Sequence, residues 1–324
     1  MNIAIIGAGL IGRKRAGALP KGIKLTTICD IDKRRAKDFA KDFNCKSETD
    51  WKKVVKDTEI HALIISTINK YLSPIAEGAI LEGKHVLVEK PGGRNLKELN
   101  KISKAFNKKN VVMFGFNHRY HPAIIMAKKI LDSKKYGKLL FIRSKYGHGG
   151  RLGYDKEWRF NKDLAGGGEL LDQGTHLIDL VNYFCGNMDV VSGVTKKLFW
   201  KTRLEDSAFF ILRNTKGQIA QLSATCVEWK NTFSFEIMLQ RAKIQIDGLG
   251  GSYGREKFTL YKMKPEMGPP DMQEFLFEEK DNSWQKENKE YFDRIRKKIY
   301  SDQAIKDAVY VLSVVEKLYK RSPI

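Results

Sequence analysis

The segment that most restricts this chain is Gly7-Ala8-Gly9-Leu10-Ile11-Gly12, set directly after the apolar run Asn2–Ile6 and at the head of a helical stretch that Pro20 stops. A Gly-x-Gly-x-x-Gly run alone says little. Between a strand and a helix each glycine has a task. The first permits a tight turn, the second lets a ligand approach the backbone, and the third lets helix and strand pack closely. The helix start offers free N–H groups and the positive end of a dipole, which suit a pyrophosphate. Asp30 ends the next apolar strand, Leu25–Cys29, about where an acid meets the ribose hydroxyls of a dinucleotide. NAD is therefore the expected cofactor, held at Gly7, Ala8, Gly9, Leu10, Ile11, Gly12 and Asp30. NADP stays open, because Lys33, Arg34 and Arg35 follow and suit a 2′-phosphate.

Alternation continues beyond this loop. A helix is read over Lys33–Phe43, a strand over Ala62–Ser66, and a helix capped by Ser73 with Pro74 at its first position, ending near Gly83. His85–Glu89, Leu96–Phe106 and Val111–Gly115 complete the series. Short apolar strands alternating with helices imply an α/β domain with a doubly wound parallel sheet over residues 1–117. Ser66, Thr67 and Asn69 fall at the carboxyl edge of that sheet, in reach of the cofactor.

From residue 118 the pattern changes. After a helix near Pro122–Leu131 come strands at Leu139–Tyr146, Asp189–Phe199, Ser207–Leu212, Gln218–Thr225, Thr232–Leu239, Lys243–Ile246 and Phe258–Tyr261, with a hairpin turn at Asn214–Gly217. One helix, Glu169–Phe184, interrupts them, and helices near Trp284–Ile299 and Gln303–Tyr319 close the chain. This reads as an α+β domain, 118–324, built on a large, mostly antiparallel open sheet. A chain of 324 residues has room for two such domains.

Composition excludes several classes. The net charge of +21 would suit nucleic acid, but the basic pairs are dispersed and no block of five or six like charges occurs, so nucleic acid is not the expected partner. No apolar run is long enough to span a membrane, and the N-terminus carries no secretory leader pattern. Cys29, Cys45, Cys185 and Cys226 form no CxxC pairs, which argues against a disulfide framework or a metal site and fits the cytoplasm.

Two segments carry candidate chemistry. Glu89-Lys90-Pro91-Gly92-Gly93 follows a strand, so Lys90 faces the ligand crevice, where its ammonium can stabilise a developing alkoxide. In Gly166-Gly167-Gly168-Glu169-Leu170-Leu171-Asp172-Gln173-Gly174-Thr175-His176, Asp172, His176 and Asp179 recur at helical spacing on one face. His176 suits proton transfer near neutral pH, with a carboxylate to orient it. Asp179 is read as structural or orienting. Gly174 inside a helix implies that something approaches its backbone closely. Before the triple glycine, the Gly147–Phe160 loop offers Arg151, Tyr154, Trp158 and Arg159 for a sugar or nucleotide pocket.

Together, Gly-x-Gly-x-x-Gly, Glu-Lys-Pro and Gly-Gly-Gly-x-Leu-x-Asp-x-Gly-x-His-x-x-Asp resemble the glucose–fructose oxidoreductase / inositol dehydrogenase / MocA family over essentially the whole chain. The resemblance implies a Rossmann domain followed by an open-sheet domain whose face commonly dimerises, hence a homodimer or homotetramer. It implies catalytic roles for Lys90, Asp172 and His176. Glu89 and Asn117 are expected near the cofactor, and Arg119, Tyr146, Trp158 and Arg159 near the substrate. Thr67-Ile68-Asn69 followed by Tyr71 departs from the family's Thr-Pro-Asn and histidine. Asn117-His118-Arg119-Tyr120-His121-Pro122 matches its crossover segment, with His118 and His121 read as unremarkable. The expected reaction is hydride transfer between nicotinamide and a secondary hydroxyl or keto carbon of a sugar, a nucleotide-linked sugar ahead of a free sugar or inositol. The competing class is a non-catalytic dinucleotide-binding regulatory protein.

Overall fold

The computed structural model describes residues 1–266, 268–277 and 280–322. The chain divides into two compact units. The first contains Met1–Asn117, Asp163–Gly166 and Trp284–Leu312. The second contains His118–Lys162, Gly167–Ser283 and the chain from Ser313.

Among the described residues, the first unit has a six-stranded sheet of β1 (Asn2–Ile6), β2 (Lys24–Cys29), β3 (Lys46–Glu48), β4 (Ala62–Ile65), β5 (His85–Glu89) and β6 (Val112–Gly115). Its order is β3-β2-β1-β4-β5-β6, and every pair is parallel. Strand order reverses between β1 and β4, the point at which such sheets receive ligands beyond their carboxyl ends. Ile3, Ile5, Ile28, Ile64 and Leu87 are fully buried, because helices cover both faces of a parallel sheet. Phe39 from the helix Lys33–Phe43, with Tyr291 and Phe292 from the helix Ser283–Arg296, packs into the same core. Each such side chain contributes about 1.5–3 kcal/mol by leaving water.

One helix start differs from the expectation. The helix runs Asn69–Leu81 with Pro74 inside it. Ser73 is no cap. It is fully buried, and its hydroxyl donates to the Glu98 carbonyl 2.6 Å away. The capping pattern was satisfied by type, but the side chain serves helix–helix packing.

In the second unit β7 (Leu139–Gly147), β8 (Asp189–Lys196), β9 (Ser207–Arg213), β10 (Ile219–Thr225), β11 (Thr232–Leu239), β12 (Ala242–Asp247), β13 (Glu256–Lys262) and β14 (Asp271–Phe277) form one sheet. The order is β14-β13-β12-β11-β7-β10-β9-β8. Its pairs are antiparallel except β7 with β10, which are parallel. One face is buried, carrying Ile142, Phe210, Leu222, Phe235 and Ile244. Phe141, Phe209 and Ile219 point to the open side. Strands β3 and β14 were not expected. The first is three residues long, and the second is an edge strand with no buried face whose apolar residues, Met272, Phe275, Leu276 and Phe277, do not alternate. Among the described residues no helix is long and apolar enough to cross a membrane.

Candidate functional site

In the first unit the glycine run forms the turn from β1 into the helix Leu10–Gly17. A β-carbon on Gly7 would overlap the Ser66 carbonyl, and one on Gly12 would overlap the Gly7 carbonyl. Gly7 is thus required by packing against the segment after β4, and Gly12 by the loop's own packing. Gly9 is different. A β-carbon there would meet nothing within 4 Å, so the fold itself does not require a glycine at this position. Ala8 is buried, while Leu10 is exposed beside the helix start and Ile11 is partly covered. The Ala8 N–H donates to Asp30 Oδ2 at 2.8 Å, and the Asp32 N–H donates to Asp30 Oδ1 at 3.0 Å. Asp30 therefore ties the end of β2 to the glycine loop, with Arg35 3.7 Å from the same carboxylate. Ile31 beside it is 87% exposed, an apolar platform next to the acid. An open-sided glycine, free helix N–H groups, an acid and an exposed apolar side chain fit a dinucleotide at this edge.

The other candidates of this unit have structural bonds as well. Ser66 donates to the Gly7 carbonyl at 3.0 Å and Thr67 to the Ile68 carbonyl at 3.2 Å. Asn69 donates to the Ala165 carbonyl at 2.9 Å. Asn117 is buried at the start of the turn Asn117–Tyr120. Glu89 ends β5, and its Oε1 accepts from Arg15 Nε at 2.7 Å. Arg15 is fully buried and also pairs with Glu287 at 2.6 Å and with Asn288 Oδ1 at 3.0 Å. Desolvation opposes the guanidinium charge, and Glu287 and Glu89 outweigh it, holding Arg15 above its ordinary pKa. Nothing in the local pattern of Lys14-Arg15-Ala16 signals this network, because its partners are remote in sequence. Lys90 follows Glu89 in a turn closed by the Gly92 N–H on the Glu89 carbonyl at 3.0 Å, around a cis Lys90–Pro91 peptide.

In the second unit the expected single helix is two pieces: a π-helical segment, Leu170–Gly174, then the α-helix Thr175–Cys185. The Thr175 hydroxyl donates to the Leu171 and Asp172 carbonyls at 3.0 and 3.2 Å, satisfying acceptors where the ladder widens. The close approach to Gly174 comes from the segment's own Leu170 side chain. Asp172 Oδ2 lies 3.3 Å from Arg159 Nε. Asp179 is fully buried and grips Arg119 with both oxygens, at 2.6 and 2.8 Å. Arg119 is thus fixed to Asp179. His176 is buried with its ring stacked on His118, centroids 3.8 Å apart. Tyr146 lies 6.1 Å from His176. Burial, then Tyr253, pushes the Tyr146 hydroxyl well above the usual tyrosine range.

Glu205 anchors the start of this segment. Its Oε1 accepts from the Gly168 and Leu170 N–H groups at 3.0 and 3.2 Å and from the Tyr319 hydroxyl at 2.6 Å. A β-carbon on Gly168 would overlap the Glu205 backbone carbonyl, which accounts for glycine there. Oε2 has no hydrogen-bond partner among the described residues. Burial pushes Glu205 up to about 7. The loop before the glycines is more closed than expected. Tyr154 is buried edge-on against Phe160 and Trp200, while Arg159 lies over Trp158 and reaches Glu157. His118, Arg15 and Glu205 were all missed from sequence.

Residues 1–118 match a family model described as the oxidoreductase family, NAD-binding Rossmann fold, and residues 124–245 match the GFO/IDH/MocA C-terminal domain. Levoglucosan dehydrogenase of Pseudarthrobacter phenanthrenivorans is 32% identical over 67% of this chain and 59% of its own length. Glucose-6-phosphate 3-dehydrogenase of Bacillus subtilis is 31% identical over 61% of this chain and 57% of its own. The chain thus spans under two thirds of the length of these curated relatives. A solved levoglucosan dehydrogenase in complex with NADH has a TM-score of 0.90 at 23% identity, covering 99% of this chain and 98% of that one. That likeness concerns the fold.

Proposed function

Since the chain belongs to the GFO/IDH/MocA family of oxidoreductases, we propose that it moves a hydride between NAD(P) and a secondary carbinol of a sugar or cyclitol. The observation that carries this reading is the Gly7–Gly12 loop, whose Gly7 and Gly12 are needed by packing while Gly9 faces open space beside Asp30. Gly9, the helix N–H groups and Asp30 would hold the cofactor, which supplies the hydride chemistry when bound. Asp30 supports NAD, and the exposed Arg34 and Arg35 leave NADP as the variant to test.

The chain's own groups do the rest. Lys90 donates to the substrate oxygen and stabilises negative charge as the alkoxide develops. His176 takes the hydroxyl proton on oxidation and returns it on reduction. Asp172, braced by Arg159, holds a neighbouring hydroxyl. The relatives are named for levoglucosan, glucose 6-phosphate and inositol, which supports a free sugar, sugar phosphate or cyclitol as substrate. A nucleotide-linked sugar is the second reading, supported by the exposed Arg151 and the Trp158–Arg159 pair. The apolar residues on the open sheet face, Phe141, Val194, Phe209 and Ile219, support a homodimer or homotetramer. Four unpaired cysteines support a reducing compartment such as the cytoplasm.

The test is the absorbance of reduced nicotinamide with NAD or NADP and a panel of free sugars, sugar phosphates, inositols and nucleotide sugars. The expected result is turnover with one class, reduced about 10²–10⁴-fold in Lys90→Ala and in His176→Ala. Turnover that survives both substitutions would overturn these assignments.

A further inference from the structure

We infer that His118 is a positioning residue that holds His176 uncharged near neutral pH by stacking on it. The inference rests on the reading of His176 as the acid–base group. The two rings are 3.8 Å apart between centroids and inclined by 19°, and both side chains are nearly fully buried. They come from different elements, the turn Asn117–Tyr120 and the helix Thr175–Cys185. Two imidazolium rings in face-to-face contact away from water repel strongly, so the pair takes up its protons in two separated steps.

The surroundings decide which ring is charged first. His118 meets His121 edge-on at 5.7 Å. His121 Nδ1 lies 2.9 Å from Glu256 Oε2, and the other Glu256 oxygen accepts the Ala123 N–H at 2.6 Å. On the His176 segment, by contrast, Asp172 meets Arg159 and Asp179 meets Arg119. Glu169 faces His148 at 3.5 Å. From the sheet, Tyr146 lies 5.2 Å from His118, carrying Tyr253 behind it, and Phe233 lies 6.1 Å away. Two of the carboxylates nearest His176 along the chain are matched by arginine, whereas Glu256 is matched by an imidazole. The Glu256 carboxylate thus lies on the His118 side of the stacked pair, which favours a proton on His118 over one on His176. His176 stays neutral and ready to accept the carbinol proton, breaking O–H and forming N–H.

The test is the titration of the His176 imidazole resonances by NMR, in the wild type, in His118→Phe, which keeps a ring without a titrating nitrogen, and in the smaller His118→Asn. Thermal unfolding would establish that each variant is folded. The expected result is a rise in the His176 midpoint of about one pH unit or more in both variants. The acid limb of the kcat/KM profile should move up by the same amount, with KM little changed. An unchanged His176 midpoint in a folded variant overturns the inference. The NMR readout needs no substrate. Shifted titration without turnover would count against the proposed reaction alone, and turnover with unshifted titration against the role of His118 alone.

Discussion

The two units treat buried charge in opposite ways. In the first, Arg15 is fully buried, and two carboxylates, Glu89 and Glu287, compensate it at hydrogen-bond distance. Its ionisation is fixed across the working pH range, and the network ties the first helix to β5 and to the helix Ser283–Arg296. In the second unit, Glu205 is buried with one oxygen lacking a hydrogen-bond partner among the described residues, and His118 stacks on His176. Burial pushes Glu205 up to about 7. The contrast matches the division of labour in the proposed reaction. On that proposal the first unit would hold the cofactor and the second would handle the proton.

The contrast can be broken most severely at Arg15. Arg15→Met leaves Glu89 and Glu287 buried without their cation and should lower stability by about 3–5 kcal/mol in urea unfolding. A loss below about 1 kcal/mol would mean that the carboxylates find protons or water instead.

At Glu205 the sign reverses. Its folded-state pKa is raised from 4.5 to about 7 by burial. The folded state therefore binds the proton more tightly than the unfolded state. The stabilisation is complete below about pH 4.5 and is lost as pH rises through about 7. Glu205→Gln keeps the acceptor for Gly168, Leu170 and Tyr319 without the charge. It should be more stable than wild type by about 3 kcal/mol at about pH 8 and nearly equal to it at about pH 4. Parallel stability-versus-pH curves for the two proteins would remove Glu205 from the account.

The smallest effect is local to the π segment. Thr175→Val removes the hydroxyl shared by the Leu171 and Asp172 carbonyls and should cost about 1 kcal/mol in thermal or urea unfolding. No loss at all would mean that the widened turn needs no such donor.

What was legible in the chain follows the range of the forces involved. The Gly7–Gly12 loop could be read because a turn, a helix start and an adjacent strand impose their demands within a few residues. The alternating buried face of β11 could be read for the same reason, since period two is a local signal. Pro74 misled because the local capping pattern was outweighed by packing of Ser73 against the Glu98 carbonyl. The π segment was hidden because apolar spacing at Leu170, Leu171, Leu177 and Ile178 fits a regular helix almost as well. The environments of Glu89, Arg119 and His118 depend on Arg15, Asp179 and His176, partners far away in sequence. Residue type announced that these groups were chemically able, and only the fold showed what each one touches.

On the proposed function the glycine loop is a dinucleotide cradle and not merely a turn. The most direct measurement is an NADH fluorescence titration of the wild type beside Gly9→Val and Gly12→Ala, each with its thermal midpoint. Gly9→Val places its side chain in the open space and should keep the wild-type midpoint while weakening NADH about tenfold or more, at least 1.4 kcal/mol. Gly12→Ala should lower the midpoint, because its β-carbon overlaps backbone. Equal NADH affinity in wild type and Gly9→Val, or no NADH binding by the folded wild type, would contradict the account.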